Sequence, residues 1–130
     1  MLMTQEADNA VRIVHCLAAQ NRRCDAAAIA AQTGVSLRFS LKILHKLVGS
    51  GIVKSFKGQN GGYELARSPR QITLNDVIET VDGPCVLNKC LRDGHECSMD
   101  DAESCGFRAV YAEISATVKK MLSDVTFDKL

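Results

Sequence analysis

Residues 34–68 read GVSLRFSLKILHKLVGSGIVKSFKGQNGGYELARS, and this stretch decides the fold. Ser36 is a residue type that caps helix N-termini, and a segment with helical spacing of apolar and cationic residues follows it as far as Gly49. Two short β-prone segments then flank GQNGG at residues 58–62, where an Asn-Gly pair is a strong hairpin signal. The stretch therefore predicts a helix followed directly by a β-hairpin.

The segments on either side complete a recognisable arrangement. Apolar residues recur at helical spacing over residues 7–19, and Asp25 is placed to cap a second short helix that Gly34 ends. Two helices joined by a short glycine-containing turn form a helix-turn-helix. A short helix capped by Thr73 and a long helix over about residues 107–122 are predicted further on. The predicted fold is mostly α with a small β-hairpin wing, a winged helix-turn-helix plus a long C-terminal helix.

We expect the 130 residues to form one compact unit with three parts. Residues 1–83 hold the winged helix-turn-helix, residues 84–106 form a loop with four cysteines, and residues 107–130 hold the long helix and a tail. No segment approaches the ~20 apolar residues of a membrane span, and the first residues do not resemble a secretory signal. We therefore expect a cytoplasmic protein, in which clustered cysteines bind metal or react more often than they form disulfides.

Charge is distributed unevenly along the chain. Residues 1–67 hold nine Lys and Arg against four Asp and Glu, whereas residues 68–130 hold seven against eleven. Residues 38–57 hold five cations and no acid. This asymmetry favours a polyanion-binding first half, with nucleic acid as the leading ligand, although a solvated surface of uneven charge has the same pattern.

A helical wheel of residues 37–48 separates apolar from cationic residues. Leu37, Leu41, Leu44 and Val48 share one face. The opposite side carries Arg38, Lys42 and Lys46, whose charges repel one another along the helix and would be offset by DNA phosphates. The predicted DNA-binding residues of the helix and wing are Ser36, Arg38, Phe39, Lys42, Lys46, Lys57, Gly58 and Asn60. The alternative is a winged helix used for protein contacts, with its cations merely solvated.

The sequence of residues 34–83 resembles the Rrf2 family of bacterial winged-helix transcription regulators, which includes IscR-like and NsrR-like proteins. The resemblance runs essentially from end to end of the chain. Its most specific parts are the recognition-helix pattern around Ser36, Phe39 and residues 43–44, and the wing pattern G-x-x-GGY-x-LAR. The resemblance implies a homodimer that binds a pseudo-palindromic operator in double-stranded DNA as a repressor. It implies no enzymatic activity.

The long C-terminal helix has an apolar stripe within about 120° of arc. The residues of the stripe are Phe107, Val110, Tyr111, Ile114, Val118, Met121 and Leu122. Members of the resembled family dimerise through such a helix, so the resemblance implies that the stripe is the dimer interface. The alternative is that the stripe closes the core of the monomer.

Four cysteines lie in the loop at residues 85, 90, 97 and 105, separated by four, six and seven residues. Structural zinc sites usually contain close pairs such as C-x₂-C, and this loop has none. A thiol switch and an iron–sulfur cluster both suit cysteines on an irregular loop. The residues alone leave all three chemistries open.

The resemblance implies an iron–sulfur cluster, 2Fe–2S or 4Fe–4S, with Cys90, Cys97 and Cys105 as ligands. Cluster-binding members carry three cysteines between the helix after the wing and the dimer helix, usually about five residues apart, so the wider spacing here leaves the cluster type open. Cys85 is additional to that pattern. Cys16 and Cys24 lie in the predicted DNA-binding half, and we expect them to be buried or incidental thiols.

The fourth cluster ligand is the residue that the resemblance leaves open. IscR-like proteins use a histidine three residues after the last cysteine, where this chain has Arg108. NsrR-like proteins use an aspartate near the start of the first helix, supplied by the other subunit, and Asp8 matches that place. The alternative for Asp8 is an ordinary ion pair with Arg12. His95 and Cys85 are rival ligands.

The sequence and the resemblance together predict a transcription regulator whose operator affinity is switched by a cluster. The signal would be iron–sulfur status, nitric oxide or redox state. One alternative is a regulator of the same family without a cluster, controlled by thiol oxidation, zinc or a partner protein. A different alternative is a small redox or electron-transfer protein, for which the cationic segment would have no role.

Overall fold

A computed structural model describes residues 3–98 and 105–130 of the chain. Its elements are α1 (Gln5–Gln20), α2 (Ala26–Thr33), α3 (Leu37–Gly49), β1 (Val53–Phe56), β2 (Gly62–Leu65), α4 (Leu74–Asp82) and α5 (Gly106–Ser123). Two short 3₁₀ turns, Pro69–Gln71 and Lys89–Leu91, lie before α4 and before α5. The observed order confirms the predicted fold of helices with one small hairpin.

The helix ends follow from local chemistry. The side chains of Asp25 and Ser36 accept hydrogen bonds from backbone N–H groups in the first turns of α2 and α3. Thr73 and Asp76 form a reciprocal capping box at the start of α4. Gly34 ends α2 with a φ of 74°, a left-handed conformation that favours glycine. Each of the predicted caps is confirmed.

The hydrophobic core lies among the first four helices and the hairpin. Its fully buried side chains include Ile13, Leu17, Ile29, Ile43, Leu44, Leu47, Ile52, Ile72 and Val77. The C-terminal tail adds Phe127, which is 2% exposed, and the backbone N–H of Leu74 donates to the carbonyl of Val125. The tail therefore completes the core that the winged helix-turn-helix begins. In the described part of the chain, no helix is long and apolar enough to cross a membrane.

The buried side of α3 does not coincide with the apolar face of the helical wheel. Its buried residues are Ser40, Ile43, Leu44 and Leu47. Leu37 and Leu41, which belong to that apolar face, are 49% and 43% exposed. The apolar residues of α3 span more of the helix circumference than the neighbouring helices cover. Because α3 is rotated so that Ile43 and Leu47 enter the core, Leu37 and Leu41 are turned towards solvent.

The wing is an antiparallel hairpin in which Val53 pairs with Leu65 and Phe56 pairs with Gly62. Five residues, 57–61, connect the strands, and the N–H of Gly61 donates to the carbonyl of Gly58 at 3.0 Å. Gly58 has a φ of 93°, whereas Asn60 is not at positive φ. The hairpin is as predicted, but its connection is a longer turn centred on residues 59–60, not a two-residue Asn-Gly turn.

The wing is attached to the segment between α1 and α2. The backbones of Tyr63 and Cys24 exchange two hydrogen bonds, of 2.7 and 2.9 Å. The Arg23 guanidinium lies 3.4 Å from the centroid of the Phe56 ring and donates to the carbonyl of Asn60 at 3.0 Å. These contacts set the direction of the hairpin relative to the helices.

Gly62 is the position at which this attachment tolerates no side chain. Its φ is 139°, and an added Cβ would lie 2.6 Å from the carbonyl oxygen of Cys24. We expect Gly62→Ala to lower the free energy of unfolding by about 1–3 kcal/mol. Alanine would either adopt an unfavourable backbone conformation or displace the Cys24 carbonyl. Urea denaturation followed by circular dichroism measures this change.

Gly49→Ala is the matched control. Gly49 is helical and nothing lies within 4 Å of an added Cβ. Alanine there should leave stability unchanged or raise it by up to about 1 kcal/mol. Equal unfolding midpoints for the two variants would show that the wing does not depend on close approach at Gly62.

Candidate functional site

The exposed side of α3 carries the predicted DNA-binding residues. Arg38, Phe39 and Lys42 are exposed, and Lys46 is partly buried at the last turn. Ser36 is exposed as well, but its hydroxyl oxygen accepts from the N–H of Phe39 at 3.2 Å as the helix cap. The structure thus brings these five residues onto one helix and its N-terminal end, as a surface that is apolar in part and cationic in part.

A carboxylate from α1 partly neutralises the cationic side of α3. An oxygen of Glu6 lies 2.7 Å from the Lys46 ammonium and 3.8 Å from that of Lys42. No motif or periodicity in the sequence predicts these ion pairs. Glu6 lies 40 residues before Lys46, so only the packing of α1 against α3 shows the pair.

The wing tip presents the other predicted DNA-binding residues. Lys57, Gly58 and Asn60 are all exposed at the end of the hairpin. Arg23 holds this tip through the Asn60 carbonyl, and its guanidinium also lies 3.8 Å from a carboxylate oxygen of Glu64. Arg23 was not among the residues predicted from the sequence. Its position in a short loop between helices carries no local signal of a contact with residues about 35 positions later.

Three of the four loop cysteines line one cavity of about 320 Å³ beside the start of α5. These are Cys90, Cys97 and Cys105, the three predicted ligands. His95 and Arg108 line the same cavity. In residues 3–98 and 105–130, no three His, Cys, Asp or Glu side chains are arranged to hold a single metal ion. The structure therefore brings the three thiols to one space without placing them at ligand geometry.

The donor set of this cavity suits a thiolate-bound cofactor. Three thiols are the ligand type that iron–sulfur clusters require, and the side chains of Lys89 and Arg108 also line the cavity. Cysteine binds metal as the thiolate. Residues 99–104, which separate two of the thiols in the sequence, lie outside the described residues. The residues present fit a cluster by their chemistry.

Cys85 does not line that cavity. It faces two other cavities near the end of α4, together with Pro84 and Val86. Burial raises the pKa of the Cys85 thiol, and the carboxylates of Glu79 and Asp82 raise it further. Cys85 therefore does not share the space that the three predicted ligands line.

Cys16 and Cys24, the two cysteines of the predicted DNA-binding half, are both buried, as expected. Cys24 belongs to the hydrophobic core and Cys16 lies on the buried side of α1. Burial raises the pKa of Cys16, with a smaller contribution from Cys24. Neither side chain is part of the cavity that holds the loop cysteines.

Asp8 forms the ion pair that was its alternative interpretation. Its carboxylate lies 3.0 Å from the Arg12 guanidinium and accepts a hydrogen bond from the Gln5 amide at 3.3 Å. Asp8 does not line the cysteine cavity of its own chain, whereas His95 does. Any role of Asp8 as a ligand would therefore be across a subunit boundary.

The apolar stripe of α5 stays open to solvent in the single chain. Phe107 is 68% exposed, Ile114 42% and Met121 65%, and Val110 is exposed as well. Tyr111, Val118 and Leu122 are partly buried. Ser115 is the one buried residue of α5, and its hydroxyl accepts from the N–H of Leu87 at 2.8 Å. The stripe therefore contributes little to the core of the monomer.

Comparisons with known proteins agree with this architecture. Residues 3–130 match the model of the Rrf2 family, described as iron-dependent transcriptional regulators. Protein aau3 of Rhizobium meliloti is 32% identical over 100% of this chain and 84% of its own length. The HTH-type transcriptional regulator NsrR of Shouchella clausii is 26% identical over 100% and 88%. The structure of CymR, the global cysteine regulator of B. subtilis, has a TM-score of 0.78 and 24% identity over 98% of this chain and 94% of its own, a likeness of fold alone.

The contact of Glu6 with α3 can be tested on any DNA duplex. We expect Glu6→Gln to bind a labelled 30-base-pair duplex more tightly and to steepen the slope of log K against log salt by about 1, because a lysine is released to a phosphate. The partly exposed ion pair itself contributes only about 0–1 kcal/mol to stability, so the fold should persist. Fluorescence anisotropy over a range of salt concentrations gives the slope.

Asp124→Asn is the matched control, because Asp124 pairs with Lys120 on α5 at 3.4 Å and not with α3. It also removes one negative charge, so it corrects for the change in net charge. If Glu6→Gln and Asp124→Asn have the same slope as the unmodified protein, Glu6 does not compete with phosphates.

Proposed function

The chain belongs to the Rrf2 family of transcriptional regulators, and from this premise we propose that it represses transcription as a homodimer whose operator affinity depends on an iron–sulfur cluster. The cluster would be held by Cys90, Cys97 and Cys105. The observation that carries the proposal is that these three thiols line one cavity beside the N-terminus of α5. The physiological signal would be the loss or oxidation of that cluster.

The DNA-binding part of the proposal rests on α3 and the wing. A helix-turn-helix places its second helix in the major groove, with the N-terminal residues nearest the base edges. Arg38 and Lys42 are exposed on that helix, and Lys57 is exposed at the wing. In the proposed complex Arg38 contacts bases, Lys42 and Lys46 contact phosphates, and the wing contacts the neighbouring groove.

The homodimer is supported by the exposed stripe of α5. Large contiguous apolar patches are rare on the surfaces of monomeric proteins and mark interaction sites. Val110, Ile114 and Met121 lie along one side of a helix that packs mainly on α4 and the 3₁₀ turn at Lys89–Leu91. Pairing of two such helices would bury the stripe and place two copies of α3 in successive major grooves, about 34 Å apart.

When bound, an iron–sulfur cluster supplies a redox-active centre that ties its cysteine ligands together. Cys105 directly precedes α5 and Cys90 lies in the 3₁₀ turn that packs against it. Holding both thiols in one place would fix this turn against the first turn of α5. His95 of the same chain and the partner subunit's Asp8 are the remaining proposals for a fourth ligand.

Side-chain contacts join α5 to α4, α4 to the start of α1, and α1 to α3. The Lys119 ammonium on α5 lies 3.5 Å from the Glu79 carboxylate on α4. At the end of α4, Asp82 accepts hydrogen bonds from the backbone and hydroxyl of Thr4, which caps α1. Two residues later, Glu6 contacts the lysines of α3. A shift of α5 against α4 would thus be passed to α1 and α3, with couplings between sites typically worth 1–3 kcal/mol.

The second candidate is a cluster-free regulator of the same family that responds to thiol oxidation. Cys97 is exposed and shares the cavity with two other cysteines. Solvent-accessible thiols with a neighbouring cysteine are typical of redox sensors. Metal analysis separates this candidate from the cluster.

We expect protein purified without air to contain iron and acid-labile sulfide and to absorb visible light. Cys90→Ala, Cys97→Ala and Cys105→Ala should each lose both, because two thiolates do not hold a cluster. Cys85→Ala is the matched control and should keep both, since that thiol lies outside the cavity. Zinc without sulfide, or full iron in all three variants, would contradict the cluster.

The fourth ligand is resolved by the same measurement on two further variants. Whichever of His95→Ala and Asp8→Ala removes the true ligand should yield a cluster with an altered visible spectrum and faster loss in air. The other variant should keep the spectrum of the unmodified protein. Asp8→Ala also removes the pair with Arg12, which is worth only a few tenths of a kcal/mol on a helix.

The dimer interface is tested by Ile114→Asp. A charge buried without a partner costs several kcal/mol, so the dimer should dissociate, with its dissociation constant raised at least about a hundredfold. Because Ile114 is 42% exposed in the single chain, the monomer should keep its circular dichroism spectrum. Analytical ultracentrifugation measures the mass.

Glu113→Gln serves as the control for that experiment, since Glu113 is exposed on α5 outside the stripe. It should sediment as the unmodified dimer. A dimer of unchanged stability in Ile114→Asp would show that another surface joins the subunits.

A further inference from the structure

Two exposed leucines on α3 have no role in the function proposed above. Leu37 is 49% and Leu41 43% exposed, although the same helix buries Ile43, Leu44 and Leu47 almost completely. Residues four positions apart lie next to each other on one side of a helix. Leu37 and Leu41 therefore form a small apolar ridge that the core does not use.

The ridge borders the cationic residues of the helix. Arg38 and Lys42 each follow one of the leucines in the sequence and are also exposed. On a helical wheel the two cations lie about 100° from the leucines that precede them. A ligand that covers this side of α3 must therefore offer both negative charge and apolar groups.

The major groove of DNA offers this combination. Its walls carry phosphates, and the C5-methyl group of thymine is the apolar group on its base edges. A protein surface that met the ridge would have to neutralise Arg38 and Lys42 as well, and the described residues of this chain offer only Glu6 to the cationic side. Charge complementarity thus favours DNA as the occupant.

We propose that Leu37 and Leu41 contact thymine methyl groups in the major groove and make A·T pairs at defined positions part of the operator's specificity. The proposal rests on the DNA-binding role of α3 proposed above. Leu37 is the first residue of α3, and Leu41 lies one turn further along. The N-terminal part of a recognition helix is the part that reaches base edges, so both leucines are placed for such contacts.

The experiment begins with a duplex selected by the purified holoprotein from a randomised DNA library. Each thymine of the selected half-site is then replaced by deoxyuridine, which removes the methyl group and keeps the base pair. We expect about a fourfold loss of affinity at one or two thymines per half-site, the equivalent of one methyl group left in water. Replacement at the other positions should have no effect.

Leucine variants test whether Leu37 and Leu41 are responsible for the affinity that is lost when a thymine methyl group is removed. Leu37→Ala and Leu41→Ala should bind the thymine duplex more weakly, and each should lose the difference between thymine and uracil at one position. Leu130→Ala is the matched control, because Leu130 is 57% exposed at the C-terminus and outside α3. It should keep both the affinity and the discrimination. Urea denaturation should give nearly unchanged midpoints, since all three leucines are exposed.

The outcomes separate this inference from the proposed function. Tight binding of a selected duplex with no uracil effect at any position would overturn the inference and leave the DNA-binding role intact. A uracil effect that persists in both leucine variants would assign the methyl contact to another residue and would also overturn it. Failure to select any sequence would remove both proposals. A changed mass of the DNA-free Leu41→Ala protein would show that the ridge is a protein interface.

Discussion

Burial of one side of α3 is the constraint on which the rest of the structure depends. Ile43, Leu44 and Leu47 enter a core shared with α1, α2 and α4, and this fixes the rotation of the helix about its own axis. Because of that rotation, the residues of α3 that are proposed to contact DNA lie outside the core, with Arg38, Phe39 and Lys42 exposed and Lys46 partly buried. Burying a side chain of this size stabilises a fold by about 1.5–3 kcal/mol, far more than any surface ion pair of the helix, so the apolar contacts set the orientation.

Local signals in the sequence predicted most of the fold. The caps Asp25, Ser36 and Thr73, the turn at Gly34 and the hairpin all depend on residues a few positions apart, and all are observed. The rotation of α3 was not predictable in the same way. Its apolar residues cover about half of the circumference, so two different faces satisfy helical periodicity, and only the packing of other helices chooses between them. Leu41 belongs to the apolar face of the helical wheel but lies outside the side that the core covers.

The candidate site likewise combines features that were predictable before the structure with features that only tertiary packing shows. The resemblance to a known family suggested which cysteines belong together, and the structure places Cys90, Cys97 and Cys105 around one cavity. The contacts of Glu6 and Arg23 around α3 and the wing were not predictable, because they join residues that are distant in sequence. Glu6 beside Lys46 and Arg23 beside Phe56 have no periodic or motif signal, and both arise from how whole elements pack. Long-range ion pairs and cation–π contacts are properties of tertiary structure.

The pairing of Glu6 with the lysines of α3 has a consequence for how this protein would search a genome. Electrostatic attraction to phosphates holds a regulator on any DNA, whatever the sequence, and sets how long it stays at each wrong site. A carboxylate lies within 4 Å of both Lys42 and Lys46, and in the proposed complex it would weaken that attraction. Residence on non-cognate DNA would then be shorter, and each regulator molecule would sample more of the chromosome between visits to its operator.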